Sequence, residues 1–247
     1  MPILETDSII LQAFAYSESS KILRLATPAH GIIPAIAKGA MRPKSPYGGV
    51  LEPFTRGTAT IHLKGGRDLQ TLSGFDLVRS GHALCRDLTR FAAASVLAEL
   101  VLRTTVESAE SGTFDLLDAA LRELEAAETG GVDRVALAHA WKLVGHLGYA
   151  PVLDACVACG RALGGEEDGF FDYDGGGARC MACGRPPFGR PLPSTARNDL
   201  RRLCAGEVVP LTRSAAHWDL FATFLGCHLL EQGSLRSFGV LAGLLDS

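Results

Sequence analysis

Two cysteine pairs of the same form, Cys156-Val157-Ala158-Cys159-Gly160 and Cys180-Met181-Ala182-Cys183-Gly184, constrain this chain more than any other stretch. A CxxC turn aims two sulfurs to one side. Two such turns at this separation suit one tetrahedral Zn²⁺ site made by Cys156, Cys159, Cys180 and Cys183. The glycine after each second cysteine is read as the residue that permits a left-handed backbone there. Asp172 to Gly177, between the pairs, reads as a Gly-rich hairpin. Four thiolates fill the coordination sphere, so the metal is expected to be structural, whereas a catalytic zinc keeps one position open. The competing reading is a pair of disulfides. Seven cysteines is an odd number for a disulfide framework. The other three, Cys85, Cys204 and Cys227, fall in helix-like apolar stretches and read as small buried residues.

The compartment decides between metal and disulfide. No run of about eighteen apolar residues is present to span a membrane. Met1-Pro2-Ile3-Leu4-Glu5-Thr6-Asp7 lacks the basic-then-apolar order of a signal peptide. A soluble cytoplasmic protein with reduced thiols and no membrane partner is therefore expected. At 247 residues, 47% of them hydrophobic, the chain has enough material for two or three domains.

A net charge of −3 argues against a nucleic-acid binder until it is divided along the chain. Residues 1–80 carry nine Lys/Arg against six acids, residues 81–155 six against eleven, and residues 156–247 nine against ten. Within residues 20–70, Lys21, Arg24, Lys38, Arg42, Lys44, Arg56, Lys64 and Arg67 face only Glu52 and Asp68. The basic end is the part suited to phosphate.

Residues 8–78 read as short strands: Ser8–Tyr16, Lys21–Thr27, Ile32–Ala37, Thr58–Leu63 and Leu69–Val78, with a hairpin at Lys64-Gly65-Gly66-Arg67-Asp68. Such a set predicts a small closed barrel of the OB type, with Pro34 at an edge or bulge. The loop from Lys38 to Gly49 carries three cations beside Tyr47, the pairing of phosphate contacts with a stacking ring found on single-strand platforms.

From Ser80 the pattern turns helical. Phe91–Thr105, Phe114–Glu128 (capped by Thr113) and Asp133–Leu147 are predicted, then Thr195–Cys204, Ala215–Glu231 and Leu235–Leu245, capped by Ser194, Ser214 and Ser234. His139 and His146 read as core or boundary residues. The Pro-rich run from Arg185 to Pro193 reads as an extended return. The architecture expected is α+β and multidomain: an OB-fold β-barrel at 1–79, a helical domain at 80–154 and 194–247, and a four-cysteine zinc module inserted at 155–193.

Catalytic motifs are missing. The sequence has no GxxxxGK[ST] loop, no Gly-x-Ser-x-Gly elbow, and no His-x-Glu paired with Pro-Cys-x-x-Cys. A non-enzymatic protein is expected.

The order of several motifs is specific enough to name a family. The loop Lys38-Gly39-Ala40-Met41-Arg42-Pro43-Lys44-Ser45 precedes Gly49-Val50-Leu51-Glu52-Pro53-Phe54. The helix end Leu143-Val144-Gly145-His146-Leu147-Gly148-Tyr149-Ala150-Pro151 runs into the first CxxCG. Gly175-Gly176-Gly177 leads to the second, and Leu235-Arg236-Ser237-Phe238-Gly239-Val240-Leu241 lies near the C-terminus. In this order the chain resembles the RecO family of bacterial recombination mediators over its whole length.

The resemblance implies an OB fold, a helical domain and an inserted zinc module. It implies binding of single- and double-stranded DNA, strand annealing without ATP, and work in DNA repair and recombination in the cytoplasm, at the nucleoid. The partners it implies are RecR, single-stranded DNA-binding protein, RecF and RecA, with RecA loaded onto coated strands. Contact with the acidic tail of single-stranded DNA-binding protein would fall to the helical domain, where Arg90, Arg134 and Lys142 are the local cations.

On this reading Lys21, Arg24, Lys38, Arg42, Lys44, Arg56, Lys64 and Arg67 meet DNA phosphates and Tyr47 holds a base. Arg179, Arg185 and Arg190 near the knuckles, and Arg197, Arg201 and Arg202 on one helix, are further cations, the last three read as a solvated side. Two other classes remain open: an RNA-binding OB protein with a zinc ribbon, which would discriminate by the 2′-hydroxyl, and a non-catalytic adaptor using its acidic bundle.

Overall fold

The computed structural model describes residues 2–104, 112–184, 189–211, 214–230 and 233–245. They form two compact units, Met1–Glu128 and Thr129–Ser247.

The first unit begins with β1 (Ile3–Tyr16), β2 (Ser20–Thr27), β3 (Gly31–Ala37), β4 (Arg56–His62) and β5 (Gln70–Arg79). These close a barrel in the order β1-β2-β3-β5-β4, the order of an OB fold. β1 is longer than its sequence pattern predicts because it serves two neighbours. Its first half pairs with β4 from Ile3↔His62 to Ile9↔Arg56, and its second half with β2 from Ile9↔Ala26 to Tyr16↔Ser20. The register shifts between Ile10 and Gln12, and such a bulge lets one strand bend across a barrel. β3 and β5 run parallel over Ala35–Ala37 and Gln70–Leu72 only. Pro34 therefore falls just outside that ladder, where its missing N–H leaves no gap.

Alternation fills the interior. Ile10, Leu23, Leu25, Ile33, Ala35, Ala37, Ala59, Ile61 and Leu72 point inward, joined by Tyr47 and Leu51 from the loop after β3. α1 (His82–Arg86), α2 (Leu88–Thr104) and α3 (Thr113–Ala126) complete the unit. Five residues are too few to show helical periodicity, which is why α1 is not legible in the sequence. Thr113 does not cap α3 as predicted: the cap is Gly112 at φ +97°, and the buried Thr113 hydroxyl has no hydrogen-bond partner among the described residues.

The second unit opens with a 3-10 turn (Thr129–Gly131) and α4 (Val132–His146). Strands β6 (Gly169–Asp172), β7 (Gly177–Cys180) and β8 (Arg190–Leu192) form a small sheet in the order β7-β6-β8. β8 is the part of the Pro-rich return that pairs, with Pro191 on the outer strand. α5 (Ser194–Cys204), α6 (Ser214–His228) and α7 (Arg236–Leu245) follow. Ser194 lies inside α5, whose cap is Pro193. Ser214 hydrogen-bonds Asp133 at 2.5 Å.

An aromatic cluster joins helices and sheet. Trp141 of α4 lies edge-on to Phe221 at 4.9 Å and beside Phe224 at 5.3 Å, and Phe224 meets Phe171 of β6 at 6.0 Å. Burying each such ring stabilises by about 1.5–3 kcal/mol. His139 is buried and His146 exposed. Among the described residues no helix is long and apolar enough to cross a membrane.

Candidate metal centre and nucleic-acid interface

The four Cys sulfurs lie within 4.8 Å of one another. Backbone pairing brings them there. Ala178 donates to the Val152 carbonyl at 2.8 Å and accepts from Val157 at 2.9 Å, which sets the first knuckle beside the end of β7. Each knuckle then closes on its own first cysteine: Gly160 N–H donates to Cys156 O and Gly184 N–H to Cys180 O, both at 2.8 Å.

The two glycines act differently. Gly160 has φ +73°, as the sequence predicts. Gly184 is absent from the left-handed region; a Cβ there would stand 2.4 Å from the Phe170 ring, so close approach is what requires glycine.

The thiols resist simultaneous ionisation. Burial disfavours the Cys156 thiolate, but hydrogen bonds from the Cys180, Cys159 and Ala158 backbone outweigh it and draw the thiol down to about 6. Cys183 is pushed up to about 12 by the neighbouring Cys180 and Cys159 thiols and by burial. Negative charge gathered at one sulfur is thus refused at the next, the situation a divalent cation relieves. The donor set fits a metal ion that prefers four soft ligands.

Helices anchor this centre from outside. Arg197 is buried and its guanidinium bonds the Gly164 carbonyl, Asn198 donates to Gly165 O at 3.0 Å, and Arg201 pairs with Asp154. Arg202 pairs with Glu207 at 2.8 Å. Arg197 and Arg201 sew α5 to the chain around the knuckles, a role their helical spacing does not announce. His228 Nε2 and the Tyr173 carbonyl are 2.6 Å apart. Arg179 pairs with Asp172 at 2.6 Å and Arg190 donates to Ala216 O at 3.3 Å. Arg185 lies outside the described residues.

In the first unit the expected DNA contacts divide into two groups. Three have other work. Lys21 donates to Leu51 O at 3.0 Å and pairs with Glu52 at 2.8 Å, holding the chain that leads into β4. Arg56 pairs with Asp118 of α3 at 2.5 Å and with Asp7 at 3.2 Å, and lies over the Phe114 ring. Tyr47 is 5% exposed, and its hydroxyl donates to Leu72 O at 2.8 Å. It is a core residue that pins the basic loop, so the expected stacking of a base on Tyr47 is corrected by its burial.

Arg24, Lys38, Arg42, Lys44, Lys64 and Arg67 remain exposed, and among the described residues none has a carboxylate in salt-bridge range. Their placement is ordered. Lys38, Arg42 and Lys44 follow the end of β3 in a chain of turns fixed by Met41 N–H to Ser19 O at 2.9 Å and Ser45 N–H to Arg42 O at 3.0 Å. Asp68, at the end of the Lys64–Asp68 hairpin, lines a cleft with His30 and Ile32 beside the start of β3. Arg24 stands between, paired in register with Gln12 and Pro34. The length of β3, about 20 Å at strand rise, separates the two loops.

Asp118 is the residue that sequence reasoning missed. Its side chain, 4% exposed, lies within salt-bridge range of Arg56, Arg79 and Arg122. Arg90, one of the cations expected to meet an acidic tail, instead holds Asp87 at 2.8 Å and the carbonyls of Leu124 and Ala127. Arg134 donates to Gly130 O at 2.8 Å.

The profile for the Recombination protein O N terminal matches residues 1–80, and that for the Recombination protein O C terminal matches residues 85–226. The chain belongs to the RecO family. It is 36% identical over 242 residues to the DNA repair protein RecO of Anaeromyxobacter dehalogenans (strain 2CP-C), covering 93% of each chain. It is 34% identical over 245 residues to that of Myxococcus xanthus, covering 97% of this chain and 98% of the relative. Against that of Rubrobacter xylanophilus the identity is 32% over 218 residues, 87% and 85% of the two chains. Within this RecO-family chain, then, an OB-type barrel, a helical C-terminal region and a four-cysteine cluster able to hold a metal ion occur together.

Proposed function

We propose that this RecO-family protein binds single- and double-stranded DNA across its barrel and anneals complementary strands without ATP. The single observation that carries the reading is the set of six exposed cations that have no carboxylate in salt-bridge range among the described residues: Lys64 and Arg67 in the hairpin before β5, Arg24 on β2, and Lys38, Arg42 and Lys44 in the loop after β3. OB folds use the face of strands 2–3 and the flanking loops for oligonucleotides. Annealing needs two polyanions held together with their bases free to pair, and cations at the ends of flexible side chains supply that. The contacts proposed are Arg24, Lys38, Arg42, Lys44, Lys64 and Arg67, with Lys21, Arg56 and Tyr47 supporting them from behind.

The same reading makes the protein a non-catalytic mediator that acts with RecR, with RecF as a further partner, to help load RecA onto strands coated by single-stranded DNA-binding protein. The DNA repair names of its relatives support that role. Cys156, Cys159, Cys180 and Cys183 would hold one structural Zn²⁺, in a module at 155–193 set between helical segments 80–154 and 194–247. A cytoplasmic setting, at the nucleoid, keeps those thiols reduced.

The experiment is annealing of complementary strands coated with single-stranded DNA-binding protein, in the absence of ATP. Wild type is compared with a folded Lys38→Glu/Arg42→Glu/Lys44→Glu variant. Annealing by wild type and failure of the variant is the expected result. A folded wild type that anneals nothing overturns the reading.

A further inference from the structure

Beside the cationic track, β1 and α2 of the first unit enclose a cleft of about 210 Å³. Its apolar walls include Phe14, Phe54 and Phe91, and Gln12, Ser95 and Glu99 supply its polar groups. Phe14 and Phe91 are 51% and 36% exposed, although each is large and apolar. Phe54 is buried and braces Phe91 edge-on at 5.7 Å. The exposed Phe14 ring is not explained by the core: β1 turns Ala13 toward the barrel interior, and Phe14, opposite Ile22, faces the other way.

We infer that this cleft receives one unpaired nucleobase of a bound single strand, stacked against Phe14. The inference rests on the DNA-binding reading above and assigns the base contact that Tyr47, being buried, does not make. Three features select a base over an apolar side chain from a protein partner. First, the polar groups suit a base edge. Ser95 Oγ gives its proton to Phe91 O at 2.7 Å and so presents lone pairs, as Glu99 does, and two acceptors suit an exocyclic amino group. The Gln12 amide both donates and accepts.

Second, Gln12 is the register partner of Arg24, so an exposed guanidinium for the adjoining phosphate stands one strand away. Third, the face continues along β1. Tyr16, 52% exposed, is two residues from Phe14 on the same side, about 6.8 Å along the strand, and offers the next base a second ring. Glu99 lies 3.8 Å from Arg103, which moderates its repulsion of the backbone.

The test measures affinity of the full chain for a single-stranded oligonucleotide carrying 2-aminopurine and for a blunt duplex. Wild type is run beside Phe14→Leu, which keeps apolar area without a π face, and Phe14→Trp, which keeps the face. Because Phe14 is half-exposed, both variants should fold, and their melting curves check it. The expected result is quenching of 2-aminopurine by wild type and by Phe14→Trp. Phe14→Leu should bind the single strand about five- to 150-fold more weakly, the range of one lost base–aromatic stack, with duplex affinity unchanged.

Equal single-strand affinity and quenching in Phe14→Leu and wild type would overturn the inference, leave the cationic track standing, and return the cleft to a protein side chain. Equal loss on single strand and duplex would also overturn it, because Phe14 would then act through fold or charge. A wild type that binds neither DNA would overturn the DNA-binding reading itself.

Discussion

The Arg56 guanidinium lies 2.5 Å from the carboxylate of Asp118, tying β4 of the barrel to α3. Arg79 reaches the same carboxylate at 2.8 Å, so one buried acid balances cations from two adjacent strands. Removing it takes from Arg79 its carboxylate and leaves Arg56 with Asp7 alone. Asp118→Ala should lower stability by about 3 kcal/mol, the low end for breaking a buried pair, since both arginines keep some contact with water. Urea unfolding should show a lower midpoint with an unchanged slope. Unchanged stability would mean the cluster is solvated and contributes nothing.

Tyr47 holds the base of the cationic loop through its bond to Leu72 O. Tyr47→Phe keeps the ring in the core and leaves one buried carbonyl without its partner, at about 1 kcal/mol. DNA affinity should be unchanged. A loss of single-strand affinity that leaves the melting curve intact would restore the stacking role to Tyr47.

How legible these features were depends on how local their cause is. The barrel strands show in the sequence because their alternation and turn residues are short-range, and the cysteine pairs show because a CxxC turn carries its geometry within a single short turn. The roles of Tyr47, Arg56 and Arg197 do not, because each is set by a partner far along the chain: Leu72, Asp118 and Gly164. A tyrosine between Pro46 and Gly48 looks exposed by its neighbours and is buried by the barrel end it plugs. Phe14 carries a readable signal, an aromatic two residues before Tyr16 on an alternating strand, but only the register with Ile22 shows which face is outside.

The hairpin between β6 and β7 sets a pH dependence. Burial works against ionised Asp172, but the Gly175 N–H and the Arg179 guanidinium outweigh it and hold its carboxyl below the usual range. A carboxylate depressed in the folded state stabilises fully above its unfolded value, about 3.9, and loses that contribution as pH falls through the folded one. Acid unfolding of the second unit should therefore be less steep below about pH 4 in Asp172→Asn than in wild type. Identical acid limbs would show that Asp172 is not the group responsible.

Metal removal should act on folding first. Cys156→Ser, or a strong chelator, should unfold the sheet around the knuckles, where small metal domains draw an apparent stabilisation of order 10 kcal/mol from the ion. Metal affinity should fall as pH falls, because protons compete for the same sulfurs, and binding should release protons to buffer. A melting curve indifferent to chelation and to Cys156→Ser would remove the structural role.

The most direct measurement is the salt dependence of single-strand affinity for wild type and a folded Lys38→Ala/Arg42→Ala/Lys44→Ala variant. Each phosphate contact contributes about 0.7 to the slope of log K against log salt, so the variant's slope should be shallower by about 2. Arg56→Met, whose cation is committed to Asp118 and Asp7, should keep the wild-type slope. A triple variant with the wild-type slope would contradict the account, because the loop after β3 would then make no contact with DNA.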